Sequence, residues 1–311
     1  MNNSNNNNIY VFYHSPCLDG SLAAWAAHKV FGDSAKYIGA GYRSYENIKE
    51  ALSAEQGKAK IFFLDYVPST EVLLWILENG HNVEIYDHHE VSFSTIRGLE
   101  GKNLSCVLDC EKSGAGISWD EFIKQPRPLL VNTIEAIDIG RSEFFDSDDQ
   151  CYNVSAFFYG LSLSKIGDIH HIFALFDKFS NWKMEEFEKM GCEHREKFKL
   201  LIPEALKDVE YVNIPQLGLE EIPFVNTDIY CHGGDLTREI FRKYDSTVAM
   251  IWFQEGDDNY RINVRSNGKI LAKEVVATVK ERMICRGCGH PKSMILRMTE
   301  AQFLEFRKIF V

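Results

Sequence analysis

The chain has 311 residues and 45% hydrophobic composition, enough to build two cores. Lys and Arg total 34 against 45 Asp and Glu, and the net charge of −11 excludes a general basic surface for coating nucleic acid but leaves a short phosphate ligand open. No run of about 18 apolar residues is present to span a bilayer, and MNNSNNNN lacks the basic and apolar regions of a secretory signal. The scattered cysteines read as reduced thiols, so a cytoplasmic protein is expected.

Residues 1–8 are Asn-rich and read as a disordered tail. From Ile9, short apolar runs alternate with helical patterns: IYVFY then SLAAWAAHKVF, KYIGA then SYENIKEAL, KIFFL then STEVLLWILEN, and finally NVEIY. This β-α-β-α-β-α-β order predicts a mostly parallel sheet with flanking helices, in a domain over residues 9–141. Ligands bind such sheets beyond the carboxyl ends of the strands. The residues there are His14, Cys17 and Asp19 after the first run, Asp65 after KIFFL, and Asp87, His88 and His89 after NVEIY. Residues 113–139 read as helical, ending at Asp138, and 142–221 as a helical connector. From about 222, FVNTDIY, STVAMIWFQ and YRINVRS read as strands and TREIFRKY and KEVVATVKERM as helices, a smaller α/β domain over 222–311. The expected fold class is therefore α/β, in two domains.

Carboxylates and imidazoles projecting from one rim can hold a pair of divalent ions, with a shared carboxylate bridging them. A single carboxylate at a strand end is usually a helix cap or a solvated group. Several at successive strand ends repel one another unless a dication offsets the charge.

Asp87-His88-His89 after an apolar strand, preceded by His14-x-x-Cys17-x-Asp19-Gly20 and by Asp65, and followed by Asp138 in IEAIDIGR, resembles the motifs of the DHH phosphoesterase superfamily. Near the C-terminus, Gly287-Cys288-Gly289-His290-Pro291 resembles the GGGHP segment of the DHH-associated C-terminal domain, and Arg265-Ser266-Asn267 the Arg-Ser stretch ahead of it. The resemblance runs from about Ile9 to about Met298 and points to members of the oligoribonuclease kind, away from the inorganic pyrophosphatase branch.

The resemblance implies two divalent cations, manganese foremost. One would take His14 and Asp65, with Cys17 in the place of a family Asp; the other would take Asp19, Asp65, His88 and Asp138, leaving Asp65 as the bridge. Cys17 either ligates, its softer thiolate favouring zinc or iron, or stands aside for water. Asp87 would orient the histidines, and His89 would contact the scissile phosphate or protonate the leaving oxygen. The implied reaction is hydrolysis by a metal-bound hydroxide, with Arg265, Ser266, His290 and the amides of a Gly287–Gly289 loop holding phosphate. The implied substrate is a short nucleotide or phosphate ester, such as an oligoribonucleotide of a few residues or a nucleotide 3′-phosphate. Neither a membrane nor an extended duplex is an expected partner, and a homodimer stays open. The alternatives are a polyphosphatase, a single-strand exonuclease, or a nucleotide-binding module that has lost catalysis.

Other features have plainer readings. Arg141 either reaches phosphate or forms a salt bridge, and Ser113-Gly114-Ala115-Gly116 is either a helix start near the cleft or a simple N-cap. Cys285-x-x-Cys288 reads as incidental rather than as a zinc site, and His170-His171 as a packed or surface pair. His232-Gly233-Gly234 reads as a turn, and Trp25, Trp119 and Trp182 as core.

Overall fold

Strands buried on both faces need near-continuous apolar runs, and the N-terminal half supplies them. The computed structural model describes residues 8–41, 45–53, 55, 57–96, 98–99, 101, 103–161, 167–227, 233–255 and 258–311. The fold is α/β, and the chain divides into two compact units, Met1–Cys151 with Leu161–Lys189 and Tyr152–Gly160 with Met190–Val311. Among the described residues, no helix is long and apolar enough to cross a membrane.

The first unit alternates β1 (Ile9–His14), α1 (Leu18–Phe31), β2 (Ala35–Ala40), α2 (Tyr45–Ser53), β3 (Lys60–Leu64), α3 (Thr70–Glu78), β4 (Asn82–Asp87), α4 (Glu90–Ile96) and β5 (Leu104–Leu108). Among the described residues these strands form one five-stranded sheet in the order β2-β1-β3-β4-β5, parallel throughout. Strand periodicity sends alternate side chains to opposite faces. Tyr10, Phe12, Ile61 and Phe63 meet Ile48 and Leu52 of α2 and Val72, Leu73 and Ile76 of α3 on one face. On the other face Phe62 packs against Phe31 of α1 at 5.2 Å and Phe122 at 5.1 Å between ring centroids. Trp25 stacks on Trp119 at 5.4 Å. Phe62 is 1% exposed. Truncating such a ring removes its transfer free energy and leaves a cavity, so Phe62→Ala should lower unfolding free energy by about 3–5 kcal/mol in urea titrations.

The helical stretch expected over 113–139 is two helices, α5 (Gly114–Phe122) and α6 (Leu129–Asp138). Pro126 and Pro128 lie between them, and proline cannot continue a helix from the turn before. Helices α7 (Asp148–Gly160), α8 (Ile169–Phe179), α9 (Met184–Lys199) and α10 (Ile202–Ala205) follow. Within the first unit, the Trp25 indole of α1 donates to Asp177 of α8 at 2.7 Å.

The second sheet begins at Val209 rather than near residue 222. Its strands are β6 (Val209–Ile214), β7 (Leu219–Asn226), β8 (Val248–Gln254), β9 (Asn259–Ser266), β10 (Arg286–His290) and β11 (Ser293–Thr299), with α11 (Gly233–Tyr244), α12 (Ala272–Arg282) and α13 (Glu300–Phe310). The order is β10-β11-β9-β8-β7-β6, antiparallel except for β7 with β8. Val275, Val276 and Val279 of α12 and Phe303, Phe306 and Phe310 of α13 cover one face. Leu236 and Ile240 of α11 pack with Val225, Ala249 and Ile251. Residues 228–230 of the FVNTDIY segment lie outside the described residues.

Candidate metal centre

The sheet order reverses direction at β1, which pairs with β2 on one side and β3 on the other. A crevice forms at such a switch point, beyond the carboxyl ends of the strands. His14 ends β1 and Asp65 directly follows β3, and His14 Nδ1 lies 3.3 Å from Asp65 Oδ2. Asp65 has φ 55, in the left-handed region, where a non-glycine residue is disfavoured by about 1–2 kcal/mol. Asp tolerates that region better than most residues, and strained backbone of this kind concentrates at functional sites.

Cys17 stands at the N-cap position of α1 without a side-chain capping hydrogen bond, and Asp19 sits in the first turn. Gly20 permits the approach of α1 to β1, since a Cβ there would lie 2.3 Å from the His14 carbonyl oxygen. Asp19 Oδ1 accepts from the Ala115 amide at 3.0 Å, at the positive end of α5. Ser113 caps α5 by accepting from the Gly116 amide at 3.2 Å. A Cβ on Gly114 would fall 2.5 Å from Asp65 Cβ and 2.9 Å from Asp19 Oδ2. The SGAG segment is thus an N-cap that also packs directly against Asp65 and Asp19.

Asp87 ends β4, and its Oδ1 accepts from the His88 amide at 2.8 Å and lies 2.8 Å from His89 Nδ1. Ser92 donates to the other oxygen. His88 Nε2 lies 3.2 Å from Asp65 Oδ1 and 3.4 Å from Oδ2 of Asp138, the last residue of α6. Ligand atoms of His14, Cys17 and Asp65 come within 4.8 Å of one another, as do those of Asp19, His88 and Asp138, and those of Asp65, Asp87, His88 and His89.

Buried polar atoms are normally hydrogen-bonded. Among the described residues, Asp19 Oδ2, Asp65 Oδ1 and Asp138 Oδ2 are buried without a hydrogen bond. Three carboxylate oxygens converging beside imidazoles, without mutual hydrogen bonds, fit an oxygen- and nitrogen-ligated dication.

The charges strain against one another accordingly. Burial, then the Asp65 charge, pushes the Asp19 carboxyl well above its usual range and that of Asp138 to about 6. Burial pushes Asp65 up as well, but the His14 and His88 imidazoles outweigh it and hold that carboxyl low. Burial disfavours the charged form of His88, yet Asp65, Asp19 and Asp138 raise the ring to about 10. Burial, then Asp65, Asp138 and Asp19, pushes the Cys17 thiol up.

A pH dependence follows for metal-free protein. Asp138 titrates near 3.8 unperturbed and at about 6 when folded, so its stabilising contribution is full below 3.8 and lost as pH rises through about 6. His88, raised to about 10, stays charged across that window. In chelator, wild-type thermal midpoints should fall more steeply than those of Asp138→Asn between about pH 4 and pH 7. Parallel curves would show that Asp138 ionises freely.

Arg141 forms a salt bridge, its Nη1 lying 3.3 Å from Glu135 Oε1, and also donates to the Glu111 carbonyl. Glu135 is the residue that sequence reasoning missed. Buried one turn before Asp138, it accepts from the Ser113 amide at 3.1 Å and from Arg127 at 2.9 Å. It thereby joins the start of α5, which holds Asp19, to the helix that carries Asp138. An acid within the apolar LLVNTIEAID was the available signal.

In the second unit, the expected Gly287–Gly289 loop is edge strand β10, paired with β11. Its glycines serve close packing: a Cβ on Gly287 would fall 2.7 Å from Val276 Cγ1, and one on Gly289 (φ 134) 2.4 Å from the Ser293 carbonyl oxygen. Register places Arg265 opposite Ser293, and Ser293 opposite His290, across three neighbouring strands. The side chains of Cys288 and His290 lie outside the described residues, as does His232. Ser266 Oγ accepts from the Gly268 amide at 2.9 Å and donates to the Ile270 carbonyl, so it shapes a turn.

No protein-family model and no curated protein matches the chain.

Proposed function

We propose that the protein is a metal-dependent phosphoesterase of the DHH superfamily, hydrolysing short phosphate esters such as oligoribonucleotides or nucleotide 3′-phosphates. The observation that carries this reading is the convergence of His14, Cys17, Asp19, Asp65, His88 and Asp138, from strand ends and helix ends far apart in sequence, on buried carboxylate oxygens without hydrogen bonds. The donor set divides into His14, Cys17 and Asp65 on one side and Asp19, His88 and Asp138 on the other, with Asp65 Oδ1 3.2 Å from His88, which suits a pair of cations sharing Asp65. Manganese is the first candidate. Bound there, the cations would neutralise the carboxylates, polarise a phosphoryl oxygen and lower the pKa of an attacking water.

The chain's own groups supply the rest. Asp87 holds the edge of the His89 ring at Nδ1. Burial lowers the His89 pKa, but Asp87 and Asp65 outweigh it and raise it, favouring the protonated ring. His89 is 37% exposed and suits a proton donor to the leaving oxygen. The net charge of −11 favours small anions drawn to a local cation site over long polyanions. No described cysteine is in a disulfide, which fits a cytoplasmic location.

The test is a substrate panel of di- to pentanucleotides, nucleotide bisphosphates and linear polyphosphate, each with manganese, magnesium, cobalt and zinc. Release of mononucleotide or phosphate from the short substrates is expected. Silence with every metal would end the enzymatic reading, and preference for long polyphosphate would move it to a polyphosphatase.

A further inference from the structure

Outside that centre, His28 near the end of α1, Asp33 just beyond it and His170 in the first turn of α8 bring ligand atoms within 4.8 Å of one another. All three belong to the first unit. His28 Nε2 lies 3.7 Å from Asp33 Oδ1, and the His28 and His170 rings are 5.7 Å apart between centroids. Both rings are held by aromatic neighbours. Phe173 packs on His28 at 4.6 Å and on His170 at 5.7 Å, and Tyr37 lies 5.5 Å from the first ring and 6.2 Å from the second. Asp33, at 93% exposure, is free to turn toward them.

Two imidazoles packed beside aromatic rings and one exposed carboxylate are donors for a borderline ion, whereas manganese and magnesium prefer oxygen. Zinc takes histidine nitrogen and carboxylate oxygen at about 2.0–2.2 Å, so the exposed side chains of Asp33 and His170 would turn inward onto an ion beside the more buried His28. Adjacent helix positions point about 100° apart, so His170 and His171 do not act as a pair; His170 has its partner on α1. We propose that His28, Asp33 and His170 form a zinc-class site, open to water at its fourth position, that ties the start of α8 to the end of α1. The other half of α8 is already held there by Asp177, which accepts from Trp25 and pairs with Lys29.

The test uses the full chain, stripped with chelator and equilibrated with micromolar free zinc, as wild type, His170→Gln and Asp33→Asn. Both altered residues are exposed, so the fold should survive. Wild type should bind one more equivalent of zinc than either variant and show a larger zinc-induced rise in thermal midpoint. Manganese binding should be the same in all three proteins. Equal zinc counts and equal shifts in wild type and His170→Gln would overturn the site.

Discussion

Asp65→Asn is expected to fold normally, to lose manganese affinity at both halves of the centre, and to hydrolyse a short phosphodiester more slowly by on the order of 10³-fold or more. The folding expectation comes from the backbone. Asp65 has φ 55, and Asn adopts left-handed φ as readily as Asp, so the turn after β3 survives the change. The functional expectation comes from the charge. Burial pushes the Asp65 carboxyl up, but His14 and His88 outweigh it and hold it low, while Asp19 and Asp138 are pushed up. Removing it takes the anion nearest to both halves of the donor set. Calorimetric manganese titration beside a rate measurement separates the outcomes: lost turnover with intact metal binding would make Asp65 a substrate-side group, and unchanged turnover would remove it from the reaction.

Gly114→Ala should have the next largest effect without altering any ligand. The new methyl would sit 2.5 Å from Asp65 Cβ and 2.9 Å from Asp19 Oδ2, closer than real carbon contacts allow. Overpacking of this kind costs about 1–3 kcal/mol, and a ligand displaced by about 1 Å can lower turnover about 10²-fold. Urea unfolding and manganese titration of one preparation would check both. Metal affinity equal to wild type would mean that α5 can back away from β3.

Much of the centre was legible because polar groups stood directly after uninterrupted apolar runs: His14 after IYVFY, Asp65 after KIFFL, Asp87 to His89 after NVEIY. Topology then did the work of bringing them together. Asp138 had no such marker, lying at the end of a helix, and was picked out by family resemblance alone. Glu135 escaped because its partners, Ser113 and Arg127, are neighbours only in the folded chain. Strand β5 is short and mostly half-buried, so its periodicity is weak. RGCGH looks like a loop because its glycines carry no side chains to alternate, and only pairing with SMILRMT makes it a strand. The break between α5 and α6 is legible in Pro126 and Pro128, which cannot continue a helix from the turn before.

The sheet order also determines where this chain can change in length. β1 and β3 bond directly, Tyr13 opposite Leu64, while β2 lies on the far side of β1. Residues added between Ala40 and Lys60 would lengthen the detour through β2 and α2 and leave His14 beside Asp65. A single residue inserted within β1 or β3 would turn one of them to the opposite face of the sheet. Related chains should therefore vary in size across that detour and hold the two strands to constant length.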